Sequence, residues 1–339
     1  MYETFYRLSG KPFQLNPDPA FYFGSRGHSR AFAYLQYGLH QGEGFIVITG
    51  EIGAGKTTIV RGLMEQLDRN QVVAAQIVST QLDADDMLRS VGVAFGLPAS
   101  DVPKSVLLAS IEAFLCQLAV DRKRALLIVD EAQNLTPRAV EELRMLSNFQ
   151  LGDQALLQSF LVGQPELRTM MQSPSMQQLR QRVIASYHLG PLDPTETQAY
   201  IEHRLRHVGW KDDPRFAPDS FALIHSLTGG IPRRINTLCN RLMLAGFLGE
   251  KHELDTSDVR TIADEMRAEI GSDLRVTVSG VDHGSTAAEY AQVTPAHELS
   301  LRRLEDRMDR VERTLGATID LLSSVLHPEK NKAGSAGDR

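Results

Sequence analysis

A chain of 339 residues, 42% hydrophobic and 23% charged, has the length of about two domains and the apolar content to give them a sizeable core. Its net charge of -6 excludes a global electrostatic pull toward nucleic acid. The cysteines Cys116 and Cys239 lack the spacing of a zinc site and read as buried thiols, no apolar run reaches the roughly 18 residues of a membrane span, and the start MYETFYRLSGKPF lacks the pattern of a signal peptide, so a cytoplasmic protein is expected.

Residues 1–26 are rich in aromatics and turn formers, and Asn16-Pro17-Asp18-Pro19 cannot continue a helix, because each proline biases its predecessor toward extended backbone. This stretch reads as a folded extension. Ala31, Tyr34, Leu35 and Leu39 recur at helical spacing and predict a helix over 27–41. Short apolar runs at 45–49, 72–79, 125–129, 156–162 and 184–189, separated by helix-like sequence, predict a parallel sheet covered on both faces.

Beyond Gly190 the strand signals stop. Asp193 as N-cap, Pro194 in the first turn and Glu196 completing a capping box predict a helix to Val208, closed by Gly209. Further helices are expected over 218–227, 232–248 and 256–270. The expected division is therefore an α/β sheet domain with its N-terminal extension over 1–190 and an all-helical subdomain over 191–271. Residues 272–297 have linker composition, and the sequence ends in a tail over 328–339 expected to be disordered. Between them, over 298–327, Leu301, Leu304, Met308, Val311, Leu315, Leu322 and Val325 follow the three-and-four spacing of a coiled coil, which needs another copy or a partner helix.

The segment Gly50-Glu51-Ile52-Gly53-Ala54-Gly55-Lys56-Thr57-Thr58 fits the Walker A pattern, follows a strand and opens a helix. Such a loop needs glycines so that backbone N–H groups can wrap phosphate oxygens, while the helix directs its positive dipole end at them. Lys56 is placed to bridge the β- and γ-phosphates of ATP, and Thr57 to ligate Mg²⁺. The run Ala125–Glu131 delivers two carboxylates at a strand's C-terminal edge, where open α/β sheets bind ligands. Asp130 suits the Mg²⁺ shell, and Glu131 suits a base that polarises the attacking water.

Gln164 closes the fourth strand, where a γ-phosphate sensor would sit, although a turn glutamine bonding its own loop has the same signature. Arg180 and Arg182 precede the fifth strand, where a guanidinium could reach a neighbouring subunit's nucleotide or be plain surface charge; Arg182 is preferred. Arg233 opens a lid helix and could reach the γ-phosphate on closure. Phe21, Tyr22, Phe23 and His28 could flank adenine, but aromatics ahead of a helix more often pack in the core, so none is taken as a site.

Together, TGEIGAGKTT, LLIVDEAQNL, FLVGQPEL, LRQRV and GGIPRRIN resemble the AAA+ ATPases of bacterial secretion systems, of the general secretion pathway A type, over about residues 1–270. The opening YETFYRLSGKPFQLNPDPAFYFG is similar to that of ATPases associated with exosortase and exopolysaccharide gene clusters. The resemblance implies a P-loop AAA+ sheet domain followed by a helical lid. Onto the matching positions it carries Walker A at Gly50 through Thr57, Walker B at Asp130 and Glu131, sensor 1 at Gln164, an arginine finger at Arg182 and sensor 2 at Arg233. It implies Mg-ATP hydrolysis driving or regulating a protein partner in an envelope-associated sorting, secretion or export complex. Homo-oligomers are expected, through the ATPase interfaces or the coiled coil, with peripheral attachment at the inner membrane through a partner. Secretion-pathway A proteins continue into a membrane span and a periplasmic region, whereas this sequence ends in linker and coiled coil, so contact with the cell wall is not expected. A DNA-dependent ATPase of the transposition-helper type shares the core motifs, but no basic tail or helix-turn-helix supports it; a small-molecule kinase is disfavoured by the Asp-Glu pair and the arginine-bearing lid.

Overall fold

Five short runs dense in β-branched and large apolar residues form the parallel sheet: β1 (Phe45–Gly50), β2 (Val72–Val78), β3 (Arg124–Asp130), β4 (Leu157–Gly163) and β5 (Val183–Leu189), in the spatial order β2-β3-β4-β1-β5. The computed structural model describes residues 1–16, 18–79 and 82–270, and the linker, coiled coil and tail expected beyond 271 lie outside them. The three central strands are buried along nearly their whole length, because period-2 alternation sends neighbouring side chains into two different cores. Phe45, Val47, Leu127, Val129 and Leu161 face one core, while Ile46, Ile48, Leu126, Ile128, Phe160 and Val162 face the other.

The second of these cores is closed by α1 (Arg26–Gln41) and α2 (Lys56–Gln66), through Ala31, Leu35, Ile59, Val60 and Leu63. The first is closed by α3 (Ala84–Ala94), α4 (Lys104–Val120), α5 (Pro137–Leu146) and α6 (Pro165–Gln172). Each fully buried Leu, Ile or Phe contributes about 1.5–3 kcal/mol relative to exposure, so the two layers hold the sheet's C-terminal edge in fixed register. A short antiparallel hairpin, Gln150–Leu151 with Gln154–Ala155, precedes β4.

A third core belongs to α7 (Pro194–His207), α8 (Pro218–Thr228), α9 (Pro232–Leu248) and α10 (Thr256–Ile270). The capping box of α7 is present, with Glu196 N–H donating to Asp193 Oδ1 at 2.7 Å. The N-terminal segment, grouped in the sequence with the sheet, packs into this helical core through Tyr2, Tyr6, Leu8 and Phe13. Its aromatics find both apolar area and polar ends there: Tyr2 Oη donates to Asn240 Oδ1 at 2.9 Å and Tyr6 Oη to the Lys251 carbonyl at 3.0 Å. Cys239 is fully buried on α9, whereas Cys116 is only half-buried. Among the described residues no helix is long and apolar enough to cross a membrane.

Candidate functional site

Three adjacent strands, β3, β4 and β1, end at the same edge of the sheet and deliver three sequence-distant pieces of one site. The loop after β1 turns through Gly53 (φ +82°) and Gly55 (φ +99°), a left-handed geometry that favours glycine. Gly50 must also lack a side chain, since a Cβ there would lie 2.6 Å from the Leu189 carbonyl oxygen of β5. Ala54 is buried beneath the loop, and Glu51 and Ile52 are exposed on it.

Lys56, 6% exposed, folds its ammonium back over the loop and donates to the carbonyls of Gly50 (2.7 Å) and Glu51 (3.0 Å). Burial lowers its pKa, against the raising effect of Glu131, Asp130 and other carboxylates. Thr57 Oγ1, in the first turn of α2, donates to Asp130 Oδ2 at 3.0 Å. Burial raises the Asp130 pKa, while the Thr57 hydroxyl and the Glu131 N–H oppose the rise. A hydroxyl and one carboxylate fit Mg²⁺ held jointly by protein, water and phosphate oxygens, a coordination that needs no dedicated all-protein cage. Groups of three or more metal-binding side chains are absent among the described residues.

Glu131 follows at φ 55°, ψ 38°. Gln133 Nε2 and Gln164 Nε2 both donate to its Oε2, at 2.7 and 3.0 Å. Burial would raise the Glu131 pKa, but these two amides and the Lys56 charge outweigh it and hold the carboxyl below its ordinary value. The carboxylate is therefore ionised near neutrality, as a proton acceptor must be. Gln164 meets Glu131 and also hands its backbone N–H to Gln133 Oε1 at 2.9 Å.

A cleft of about 230 Å³ opens beside the loop, lined by Ile52, Gly53, Gly55, Lys56, Thr57, Thr58, Glu131 and, from the helical layer, Arg233. Here α9 touches the loop directly, with Arg233 N–H donating to the Gly53 carbonyl at 3.2 Å and its guanidinium exposed at the rim. Arg182 lies elsewhere. Its carbonyl accepts from Phe45 N–H at the start of β1, a six-residue strand and so about 20 Å from the phosphate loop at roughly 3.3 Å per residue. Its Nη1 donates to the Ser147 carbonyl and hydroxyl, while Arg180 Nη1 donates to the carbonyls of Met171 and Ser173. Neither arginine serves this chain's own loop.

The other wall of the cleft holds residues not singled out from the sequence: Gln14, Leu15, Asn16 and Asp18 from the N-terminal segment, Tyr200 and Arg204 from α7, and Asn236 from α9. Phe21, Tyr22, Phe23 and His28 line it too, so the aromatics set aside as core belong both to the packing and to the cleft. Arg204 is 6% exposed. Its guanidinium donates to the Pro12 carbonyl (2.5 Å), the Tyr200 hydroxyl (3.1 Å) and the Gln14 carbonyl (3.4 Å), and lies 4.6 Å from the Phe21 ring centroid. The sequence signal was there to find, because Arg204 shares a helical face with the buried Tyr200, Ile201 and Leu205, and a charge at such a position needs a reason.

A glycine loop on a helix N-terminus, a pair of carboxylates at the end of β3, one strand removed from β1, and a helical layer touching the loop together define a P-loop NTPase of AAA+ architecture. Residues 39–171 match the family described as AAA domain. The chain is 39% identical over 267 residues to the general secretion pathway protein A of Aeromonas hydrophila, a match covering 78% of this chain and 48% of that protein. It thus spans about half the length of that curated relative. Similar solved structures include the ORC2 protein of Aeropyrum pernix in ADPNP–ADP complexes (20% identity, TM-score 0.53, 70% of this chain and 66% of that one) and Cdc6p from Pyrobaculum aerophilum (16%, 0.57, 73% and 70%); they share the fold. The chain has the AAA+ P-loop fold and is similar over most of its length to general secretion pathway protein A.

Proposed function

We propose that this chain hydrolyses Mg-ATP between subunits and uses the cycle to drive or regulate a partner protein in an envelope-associated secretion, protein-sorting or exopolysaccharide-export complex. The observation that carries the hydrolytic part is the Glu131 carboxylate, ionised and held by two amides at the mouth of the same cleft as Lys56 and Thr57. Bound Mg-ATP supplies the γ-phosphoryl group and a cation that neutralises its charge. Lys56 and the loop N–H groups bind the phosphates, and Thr57 and Asp130 hold the metal. Glu131 takes a proton from the water whose oxygen bonds to the γ-phosphorus, while the bond to the β–γ bridging oxygen breaks and its electron pair leaves with the diphosphate. Gln164, whose amide donates to Glu131, would sense that phosphate through the carboxylate, and Arg233, which lines the cleft, would meet it from α9.

Arg182, remote from its own loop, suits a role in trans on a neighbour's nucleotide. The reading of an envelope complex is supported by the likeness to general secretion pathway protein A and by the opening segment; the coiled coil at 298–327 would be the docking element, and attachment to the inner membrane would be peripheral, through the partner. Phosphate release from ATP and Mg²⁺ without added acceptor tests the proposal. Lys56→Ala should abolish tight ATP binding with the fold intact, and Glu131→Gln should hold ATP while turnover drops about 100-fold or more. Wild-type turnover in Glu131→Gln would refute the assignment of the base, and stimulation by DNA with no effect of an envelope partner would refute the cellular role.

A further inference from the structure

Glu131 is held more firmly than a carboxylate at a strand end requires. Its backbone is left-handed at φ 55°, a conformation that residues with a side chain seldom adopt, and it leads into a short turn, Ala132–Asn134. That turn is pinned on both sides: Ala132 is fully buried in the sheet core, and Asn134 Nδ2 donates to the Ser79 carbonyl at the end of β2, at 3.1 Å. From this fixed turn the Gln133 amide reaches back. Its Nε2 donates to Glu131 Oε2 at 2.7 Å and its Oε1 accepts from Gln164 N–H at 2.9 Å, where α6 begins. Space for it depends on Gly163, because a Cβ there would lie 2.7 Å from Gln133 Oε1. Both amide donors fall on Oε2, and among the described residues no protein hydrogen bond reaches Oε1.

We propose that Gln133 is a positioning residue for hydrolysis: its amide fixes the Glu131 side chain so that Oε1 faces the attacking water, and it ties that setting to the start of α6. The proposal rests on the reading of Glu131 as base. Gln164 alone cannot do this, since one amide on one oxygen leaves the carboxylate free to rotate about that bond, whereas two donors from different elements restrict the rotation. Gln133 does not line the nucleotide cleft, so its loss should spare binding.

Two variants separate the functions of the amide. Gln133→Glu keeps its size and the acceptor for Gln164 N–H but replaces the donor with an anion; Gln133→Met removes donor and acceptor at similar volume. With the full chain, both should lower kcat about 10- to 100-fold, the size expected for a lost hydrogen bond to a charged group. Affinity for a non-hydrolysable ATP analogue should stay within about threefold and the melting temperature within a few degrees. Crystals of Gln133→Met grown without nucleotide should show the Glu131 side chain displaced. In a Glu131→Gln background neither change should lower turnover further, because the group being positioned is already gone. Wild-type kcat in both variants, where Glu131→Gln alone is crippled, would overturn the role of Gln133 and leave Glu131 as base. A fall in analogue affinity or melting temperature that matches the loss of kcat would overturn it as well, by making Gln133 a residue of the fold. If Glu131→Gln itself turned over normally, the underlying reading would fail first.

Discussion

The contact between the phosphate loop and α9 can be broken with one methyl group. At Gly53 (φ +82°) an added Cβ would lie 2.3 Å from Arg233 Cβ, whereas packed carbons sit at about 3.5–4.0 Å, so α9 must retreat by more than an ångström or the loop must deform. The left-handed backbone costs an alanine about 1–2 kcal/mol. Retreat also stretches the 3.2 Å bond from Arg233 N–H to the Gly53 carbonyl, worth about 1 kcal/mol. Together these bias against the docked arrangement by roughly 2–3 kcal/mol, which is about a 30- to 150-fold loss of affinity for a ligand that needs it. Gly53→Ala should therefore weaken binding of a non-hydrolysable ATP analogue by that factor, read by calorimetry or fluorescence. Gly62→Ala is the control: on α2, with nothing within 4 Å of the added methyl, it should stabilise the helix by about 0.5–1 kcal/mol in a urea melt. Analogue affinity within about threefold of wild type in Gly53→Ala would refute the claim that α9 must sit on the loop for nucleotide to bind.

Arg204→Met should destabilise by about 2–4 kcal/mol in thermal or urea melts, because it orphans the buried Pro12 carbonyl and takes a donor from the Tyr200 hydroxyl, which keeps only its bond to Asn236 Oδ1; it should also speed proteolysis near residue 14, and an unchanged melt would show the network to be incidental. Stability should fall on acidification through His28, which is buried against the Gly55 position. Burial lowers its pKa, offset in part by its bond with the Ala54 backbone and by Glu196, so above about pH 6.5 both states are neutral and the contribution is complete, while below it the unfolded chain takes up a proton the fold resists. Melts from pH 7.5 to 5.5 should then show a steeper decline in wild type than in His28→Asn, with the residual slope carried by His203, whose pKa burial also lowers. Mixing Arg182→Ala with Glu131→Gln subunits should restore partial hydrolysis at mixed interfaces, and no recovery at any ratio would remove Arg182 from the neighbour's site.

What could be read in advance follows how local each feature is. The strands were legible almost to the residue because both faces of the three central ones are buried, which turns them into mostly apolar runs that end at Gly or Asp. The capping box at Asp193 and Glu196 is equally local, and so is the phosphate loop, whose chemistry is held in nine consecutive residues. The hairpin before β4 was missed because its strands are two residues each, too short for any period to register. Gln133 was passed over for another reason: its meaning lies in a backbone donor 31 positions away, and nothing in its neighbours announces that.

The two ends of the cleft differ in the same way. A phosphate is recognised by backbone N–H groups, so the chain must carry a contiguous loop of permissive residues, and such a loop leaves a pattern. The opposite wall is assembled from a segment near residue 14, from α7 and from α9, joined by the Arg204 guanidinium to carbonyls 190 and 192 positions upstream. Side chains recruited from three elements keep no common spacing, and each satisfies its local helix or turn without sign of the others. The trace they do leave is a local misfit, a charge on the apolar face of α7 and aromatics in a segment with no periodicity of its own. Buried charge is costly unless its hydrogen bonds are made, so that misfit implies acceptors supplied from elsewhere in the chain, and here the N-terminal segment that supplies them also walls the cleft, from Gln14 onward.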